Sequence, residues 1–389
     1  MREMLRRREK SDNDAVSPHV LHIRSATGHG GGPERTILNA PRYLGPLGYT
    51  STCVYLHHRN GDQFLRERAA AAGADFISVV DHGPLDVSLP RKIGSICRST
   101  NATILHSHDY KTDVLGLMVR RLVPVKLVAT VHGWGVQNWK TPLYHRLDKL
   151  SLRQFDAVIC VSKDLYEECL RCGIHASRCH QIDNGVDTKI FQRTLPGNEA
   201  KRRLGVPRDC MLLGALGRLS PEKGFDLLIA AVDRLIGQGR DVSLWIAGEG
   251  PQRAKLREQI DRLGHGERIR LVGHLDDVTG LLGALDGYVL SSLREGLPMV
   301  VLEAMAMEVP VVATRTAGVP TLIRDGENGL LVDSGSVDEL VTGITRLLDN
   351  PAEATQLAQA GRTTIEQSYS FEQRMKRVAE VYEECRGAE

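Results

Sequence analysis

Short apolar runs alternate with helix-forming segments along almost the whole chain, and the alternation is completed twice. In the first half the runs fall at 20–23, 52–56, 76–80, 103–105, 127–131 and 157–161, with better helix formers between them, as at 64–72 and 114–122. These runs are too short for buried helices, are rich in Val and Ile, and lack the polar–apolar alternation of a strand that is wet on one side. Strands of that kind are covered on both faces, and consecutive parallel strands need a crossover between them. The pattern restarts at 212–216 and continues through 242–247, 269–272, 287–290, 309–314 and 329–332, with helical segments such as 225–236 and 299–307. It predicts α/β architecture in which two doubly wound parallel sheets follow one another. Pro41, inside the first helical pattern, predicts a kink or a division of that helix.

The break in the pattern lies at 187–209, a stretch rich in charge, Pro and Gly. A chain of 389 residues also exceeds the roughly 250–300 residues over which one hydrophobic core grows. Residues 1–17 are therefore assigned to a basic and polar tail expected to be disordered, 18–190 to an N-terminal Rossmann-like domain, 191–208 to a linker, and 209–370 to a C-terminal Rossmann-like domain. Residues 371–389 are assigned to a terminal helix expected to cross back to the first domain. Two such domains facing one another place a central cleft between the carboxyl ends of their strands.

Charge and cysteine usage exclude several classes. Lys+Arg 50 against Asp+Glu 48 leaves a net charge of +2, without the basic excess of a sequence-independent nucleic-acid surface, so no nucleic-acid partner is expected. Arg6-Arg7-Arg8 is followed by Ser11-Asp12-Asn13-Asp14 where an export signal needs an apolar run, and no apolar stretch reaches about 18 residues. A cytoplasmic location with reduced thiols is expected. Cys169 and Cys172 form a C-x-x-C followed by Cys179-His180. That is either a metal or redox site, or two small apolar side chains on one face of a helix over 163–172.

Three strand-to-helix loops carry the chemistry. Gly28-His29-Gly30-Gly31-Gly32-Pro33-Glu34-Arg35 follows the first strand and opens a helix with Pro near its first position, so backbone N–H groups can approach a phosphate there. The third position of a dinucleotide-binding G-x-G-x-x-G is Pro33, and no acid stands about twenty residues on, which disfavours a nicotinamide cofactor. Gly217-Arg218-Leu219-Ser220-Pro221-Glu222-Lys223-Gly224 places two cations five residues apart, a planar fork and a compact charge suited to a diphosphate. Glu295-Gly296-Leu297-Pro298-Met299-Val300 precedes and opens a helix, with Glu303 eight residues after Glu295. That spacing aims N–H groups at an anion and sets a carboxylate deeper, within reach of a ribose diol. Taken one at a time, these are equally a tight turn, two solvated cations, a helix cap and a surface charge.

Together they carry a resemblance. The chain resembles a GT-B-fold glycosyltransferase of the retaining family 4 type over roughly 18–382. Glu295 to Glu303 is similar to the family's E-x7-E signature, Gly217-Arg218 with Lys223 to its diphosphate loop, and Gly31-Gly32-x-Glu34-Arg35 to its amino-terminal glycine loop. Val131-His132-Gly133, Asn184-Gly185-Val186-Asp187, Ala247-Gly248-x-Gly250-Pro251 and Gly318-Val319-Pro320 also match. The resemblance implies transfer of a sugar from a UDP- or GDP-sugar donor, with retention and with no metal or other cofactor required. It implies that Arg218 and Lys223, beside Gly217, bind the diphosphate and stabilise charge growing on it, and that Glu303 holds the ribose. Glu295 contacts the transferred sugar, and the amides of Gly296, Leu297, Met299 and Val300 meet phosphate. Val272-Gly273-His274-Leu275 contacts the base, Gly31 and Gly32 approach the phosphates, and His132 lies beside the sugar. No carboxylate of the first domain aligns as a nucleophile, so a front-face reaction is implied.

The acceptor is open among a saccharide, a glycolipid and a small molecule, with cell-surface polysaccharide or glycolipid assembly the expected setting. Acceptor contacts are expected from 109–113 and 134–139. Arg120-Arg121 and the basic segment 146–153 suggest peripheral contact with an anionic membrane at its inner face. A nucleotide-sugar epimerase or hydrolase, or a catalytically silent binding protein, would share the donor loops. His106-Ser107-His108-Asp109 invites a metal, but no third ligand is evident beside His106 and His108. Asp12-Asn13-Asp14 is read as a coincidental Asp-x-Asp.

Overall fold

A computed structural model describes residues 17–26, 32–58, 62–83, 86–133 and 141–387. Gly31, the Asp12-Asn13-Asp14 triplet and residues 134–139 lie outside the described residues. The chain divides into two compact units, one gathering the residues up to Asp183 together with those from Arg374 onward, the other formed by Asn184–Gln373.

The first unit holds a parallel sheet of β1 (His19–Ser25), β2 (Thr50–His57), β3 (Asp75–Val80), β4 (Ala102–Ser107), β5 (Lys126–Val131), β6 (Ala157–Cys160) and β7 (Cys179–Gln181), in the order β3-β2-β1-β4-β5-β6-β7. The second holds β8 (Met211–Leu216), β9 (Val242–Ala247), β10 (Ile269–Gly273), β11 (Gly287–Leu290), β12 (Val311–Thr314) and β13 (Leu330–Val332), in the order β10-β9-β8-β11-β12-β13. In both sheets the strand order reverses beside the first strand, so the topological switch points lie between β1 and β4 and between β8 and β11. Burial on both faces explains the near-continuous apolar runs. Along β8, Leu212 and Leu216 enter one apolar cluster while Leu213 and Ala215 enter another on the opposite face.

Pro41 does not divide its helix, which runs unbroken over Gly32–Leu44. Proline leaves the carbonyl four residues earlier without its helical donor. That carbonyl, Ile37 O, accepts from the buried Cys53 thiol of β2 at 3.4 Å.

Residues 191–208 are not an open connection. They include the Gly197–Arg203 helix, and Phe191, Ala200 and Val206 are buried in the core of the second unit. Lys201 is buried too, with Nζ 2.5 Å from Asp286 Oδ2 and donating to Cys210 O. A charged composition here conceals a packed helix because its deepest residue is a satisfied lysine.

Asp109, expected among acceptor contacts, works as a helix cap. Its carboxylate accepts from the N–H groups of Lys111 and Thr112 at 3.0 Å, forming a capping box with Thr112, and from Ser25 N–H at 2.6 Å. Asp109→Ala is expected to cost about 1–2 kcal/mol of stability, measured by urea unfolding.

Candidate functional site

The loops after β8, β11 and β12 meet at the carboxyl end of the second sheet, on both sides of its switch point. Gly224 makes the first meeting possible. Its φ is +60°, and a Cβ there would stand 2.2 Å from Ser291 O. Ser291 Oγ in turn donates to Lys223 O at 2.9 Å, and Leu293 N–H donates to Glu222 O at 2.7 Å, so the β8 loop is stitched to the β11 loop. Gly318, after β12, packs so closely that its Cβ would lie 2.5 Å from Gly296 O. Gly224→Ala is expected to destabilise the second unit by about 2 kcal/mol or more, from left-handed backbone strain and that clash, read in the urea midpoint.

This stitching sets the charged groups. Lys223 folds back so that its Cε would lie 3.5 Å from a Cβ on Gly217, and its Nζ donates to Glu295 Oε1 at 2.5 Å. Ser292 Oγ donates to the same carboxylate oxygen at 2.7 Å, and Thr314 Oγ1 to Ser292 O at 2.6 Å. The Lys223 and Glu295 side chains are 20% and 10% exposed, a paired cation and anion at the edge of solvent. Arg218, by contrast, is exposed.

The Met299–Ala306 helix starts directly after this carboxylate, with Pro298 as its cap residue. The N–H groups of its first turn precede the first intrahelical bond and face whatever occupies the end of β11. Glu303, one to two turns in, is only 5% exposed and acts electrostatically on the Tyr288 phenol. The second unit thus brings together Gly217, Arg218, Lys223, Glu295, Gly296, Leu297, Met299, Val300 and Glu303 on the strands flanking the switch point. His274 stands apart, exposed just past the edge strand β10, with Nε2 3.6 Å from Asp276 Oδ1. Ser292 and Thr314 are supporting residues to which the sequence motifs assign no role. Thr316, two residues past Thr314, has a buried hydroxyl without a hydrogen-bond partner among the described residues.

In the first unit, His132 follows β5 and is half-buried. Its Nε2 lies 3.4 Å from His108 Nδ1, and His108 Nε2 lies 3.1 Å from His22 Nδ1. His22 is therefore a third imidazole beside His106 and His108, supplied by the neighbouring strand, where sequence spacing showed none. His106 spends both ring nitrogens on protein hydroxyls, Tyr382 at 2.6 Å and Thr130 at 2.8 Å. Burial, and after it the nearby Arg24 and Arg374 charges, holds His132 well below the ordinary histidine range, so its imidazole is neutral near pH 7. Glu34, from the glycine-loop motif, is buried in an ion pair with Arg24 at 3.2 Å, and Arg24 also donates to His108 O. Gly32 is the first residue of the Gly32–Leu44 helix.

Two family models cover most of the chain: Glycosyl transferases group 1 matches residues 198–364, and Glycosyltransferase Family 4 matches 30–190. The chain belongs to this glycosyltransferase family. A lipopolysaccharide core biosynthesis glycosyltransferase of Rhizobium meliloti, LpsE, is 38% identical over 172 residues, 44% of this chain and about half (49%) of that relative's length. A GDP-mannose-dependent phosphatidylinositol monomannoside mannosyltransferase of Mycolicibacterium smegmatis is 29% identical over 84% of this chain and 89% of its own. Among solved structures, Anabaena Alr3699/HepE in complex with UDP and glucose superposes with a TM-score of 0.79 at 20% identity, covering 94% of this chain and 99% of that one. The glycosyltransferase thus has the GT-B fold, and its two parallel sheets are the two Rossmann-like halves of that fold.

Proposed function

We propose that the glycosyltransferase moves a sugar, with retention, from a nucleoside diphosphate donor held at the β8–β11 switch point to an acceptor hydroxyl in polysaccharide or glycolipid assembly. The observation that carries this reading is the convergence of Arg218, the Lys223–Glu295 pair and the start of the Met299–Ala306 helix at one sheet edge. A diphosphate leaving group carries the charge that grows as the glycosidic bond breaks. An exposed guanidinium, a preplaced ammonium and helix N–H groups meet that charge without reorganisation. Lys223 is oriented by Glu295 before any donor arrives, and Glu295 is oriented by Ser292. Glu303, deep on the same helix, is the group for the ribose hydroxyls, and neutral His132 is the hydrogen-bonding partner of the transferred sugar. The front-face course follows from a departing phosphate that itself accepts the acceptor's proton, so positioning and charge stabilisation supply the acceleration.

The relative that acts on a phosphatidylinositol glycolipid favours a lipid-borne acceptor here. Arg120 is engaged with Asp156 and Gln154 O, so the basic surface for lipid is instead Arg91 and Arg121, which flank a shallow depression with exposed Val87, Met118 and Leu122.

The test is nucleotide release from UDP-, GDP- and ADP-sugars with and without acceptor lipid extracts, followed by anomeric analysis of the product by NMR. Acceptor-dependent release and a retained anomer are expected. Release without acceptor would instead indicate hydrolysis or epimerisation, binding without release a silent binding protein, and an inverted anomer would sink the front-face course.

A further inference from the structure

Three cysteine side chains from three separate elements converge on one point of the first unit. Cys160 ends β6, Cys179 begins β7, and Cys169 lies on the Lys163–Arg171 helix. In the parallel register Val158 stands opposite Cys179 and Cys160 opposite Gln181, so Cys160 and Cys179 share one face of the sheet, two positions apart. Cys169 is the buried residue of its helix. Cys160 Sγ lies 3.4 Å from Cys169 Sγ and 3.7 Å from Cys179 Sγ, and all three sulfurs lie within 4.8 Å of one another. Exposure is 0%, 0% and 4%. Cys97, buried in the same apolar core, belongs to no such group among the described residues, so an aliphatic core does not by itself draw thiols together.

We propose that Cys160, Cys169 and Cys179 form a three-thiolate site for one soft, thiophilic metal ion. A metal–sulfur bond of about 2.3 Å places three-coordinate sulfurs about 4.0 Å apart, so the 3.4 Å and 3.7 Å separations must open by about 0.3–0.6 Å. Three sulfurs and no oxygen select soft ions over hard ones. Among the described residues no fourth ligand joins the group, which fits a three-coordinate ion better than tetrahedral zinc. Lys149, itself paired with Glu168 at 2.5 Å, lies within electrostatic reach of Cys169, and His180 adjoins Cys179 in sequence. The C-x-x-C spacing in the sequence points elsewhere: Cys169 meets Cys160 and Cys179, while Cys172 is half-buried and outside the trio.

The test uses the full chain, reduced and stripped by chelator, then titrated with cadmium(II) alone, both as folded protein and during refolding. A near-ultraviolet sulfur-to-cadmium band that saturates at one equivalent is expected, retained in Cys172→Ser and lost in Cys160→Val and Cys179→Val. The valine variants keep an apolar core of similar volume, and circular dichroism with donor-induced thermal shift checks that they fold. Should they not fold, the stoichiometry and a cadmium NMR shift typical of sulfur-only ligation in the unmutated protein decide. No equimolar band after refolding, a band that depends on Cys172, or a disulfide between any two of the three in unreduced protein would overturn the proposal.

Discussion

Lys223→Ala and Arg218→Ala are each expected to lower turnover by about 10²–10³-fold, the loss seen when one preorganised donor to a developing anion is removed. The two substitutions differ in what else they disturb. Arg218 is exposed, so its removal should leave unfolding unchanged and report the chemistry alone. Lys223 is the ion-pair partner of Glu295, whose side chain is only 10% exposed, and its loss leaves that carboxylate with Ser292. Lys223→Ala should therefore also weaken donor binding, by electrostatic repulsion between Glu295 and the donor phosphates. Steady-state kinetics separate these effects. A fall in kcat with little change in KM marks charge stabilisation specific to the transition state, whereas a rise in KM alone would mean that Arg218 only binds. Turnover near that of the unmutated protein in both variants would remove the diphosphate role altogether. Lys223→Arg is not expected to restore full activity, since a planar fork cannot take the compact position that Lys223 occupies over Gly217.

Acid should unfold the first unit well before the carboxylates of the surface titrate. His22, His106 and His108 are buried and held neutral: burial, and then the neighbouring His19, drives His22 down to about 3, and burial is also the first cause for the other two. Each has a folded pKa below its unfolded value of about 6.5. The stability tied to their neutral form is therefore fully present above that value and is lost as pH falls from about 6.5 toward the folded pKa. At pH 5.5, one unit below that value, keeping each neutral opposes folding by roughly 1 kcal/mol, so the three together oppose it by a few kcal/mol, a large share of the 5–15 kcal/mol that holds a typical domain. Asp113 opposes this. Burial and then the adjacent Asp148 raise its carboxyl well above the ordinary range, so it favours the folded state as pH falls. His132, held neutral in the same way, is a fourth imidazole on the losing side, and the four outweigh the one carboxyl. Urea unfolding at pH 7.5 and 5.5 should show it, and His22→Gln should shrink the difference by roughly 1 kcal/mol. An unchanged difference in that variant would mean that His22 is not neutral in the fold.

The strands were legible because each is a contiguous apolar run, and all but one lie within a residue or two of their expected bounds. The exception is β7, three residues of which Cys179 alone is apolar in character; it forms because β6 offers it an edge. The Gly197–Arg203 helix was hidden for a related reason. Its burial depends on Asp286 meeting Lys201, and that partner lies far along the chain. Within the candidate site, the grouping of Arg218, Lys223, Glu295 and Glu303 at the ends of neighbouring strands was readable because each sits in a short loop or the first helical turns after a strand. The roles of Ser292 and Thr314 were not, since a serine or threonine after a strand has many uses.

Periodicity and loop chemistry therefore specified two parallel α/β units and the groups at the ends of their strands, because backbone geometry and helix capping act over a few residues. The tertiary structure alone decided which groups meet: Lys223 with Glu295 across 72 residues, His22 with His108 across 86, Tyr382 with His106 across 276. It also decided that the buried imidazoles are neutral. Protonation follows from the water excluded and the charges gathered around a side chain, and both are set by chain segments that the local sequence does not contain.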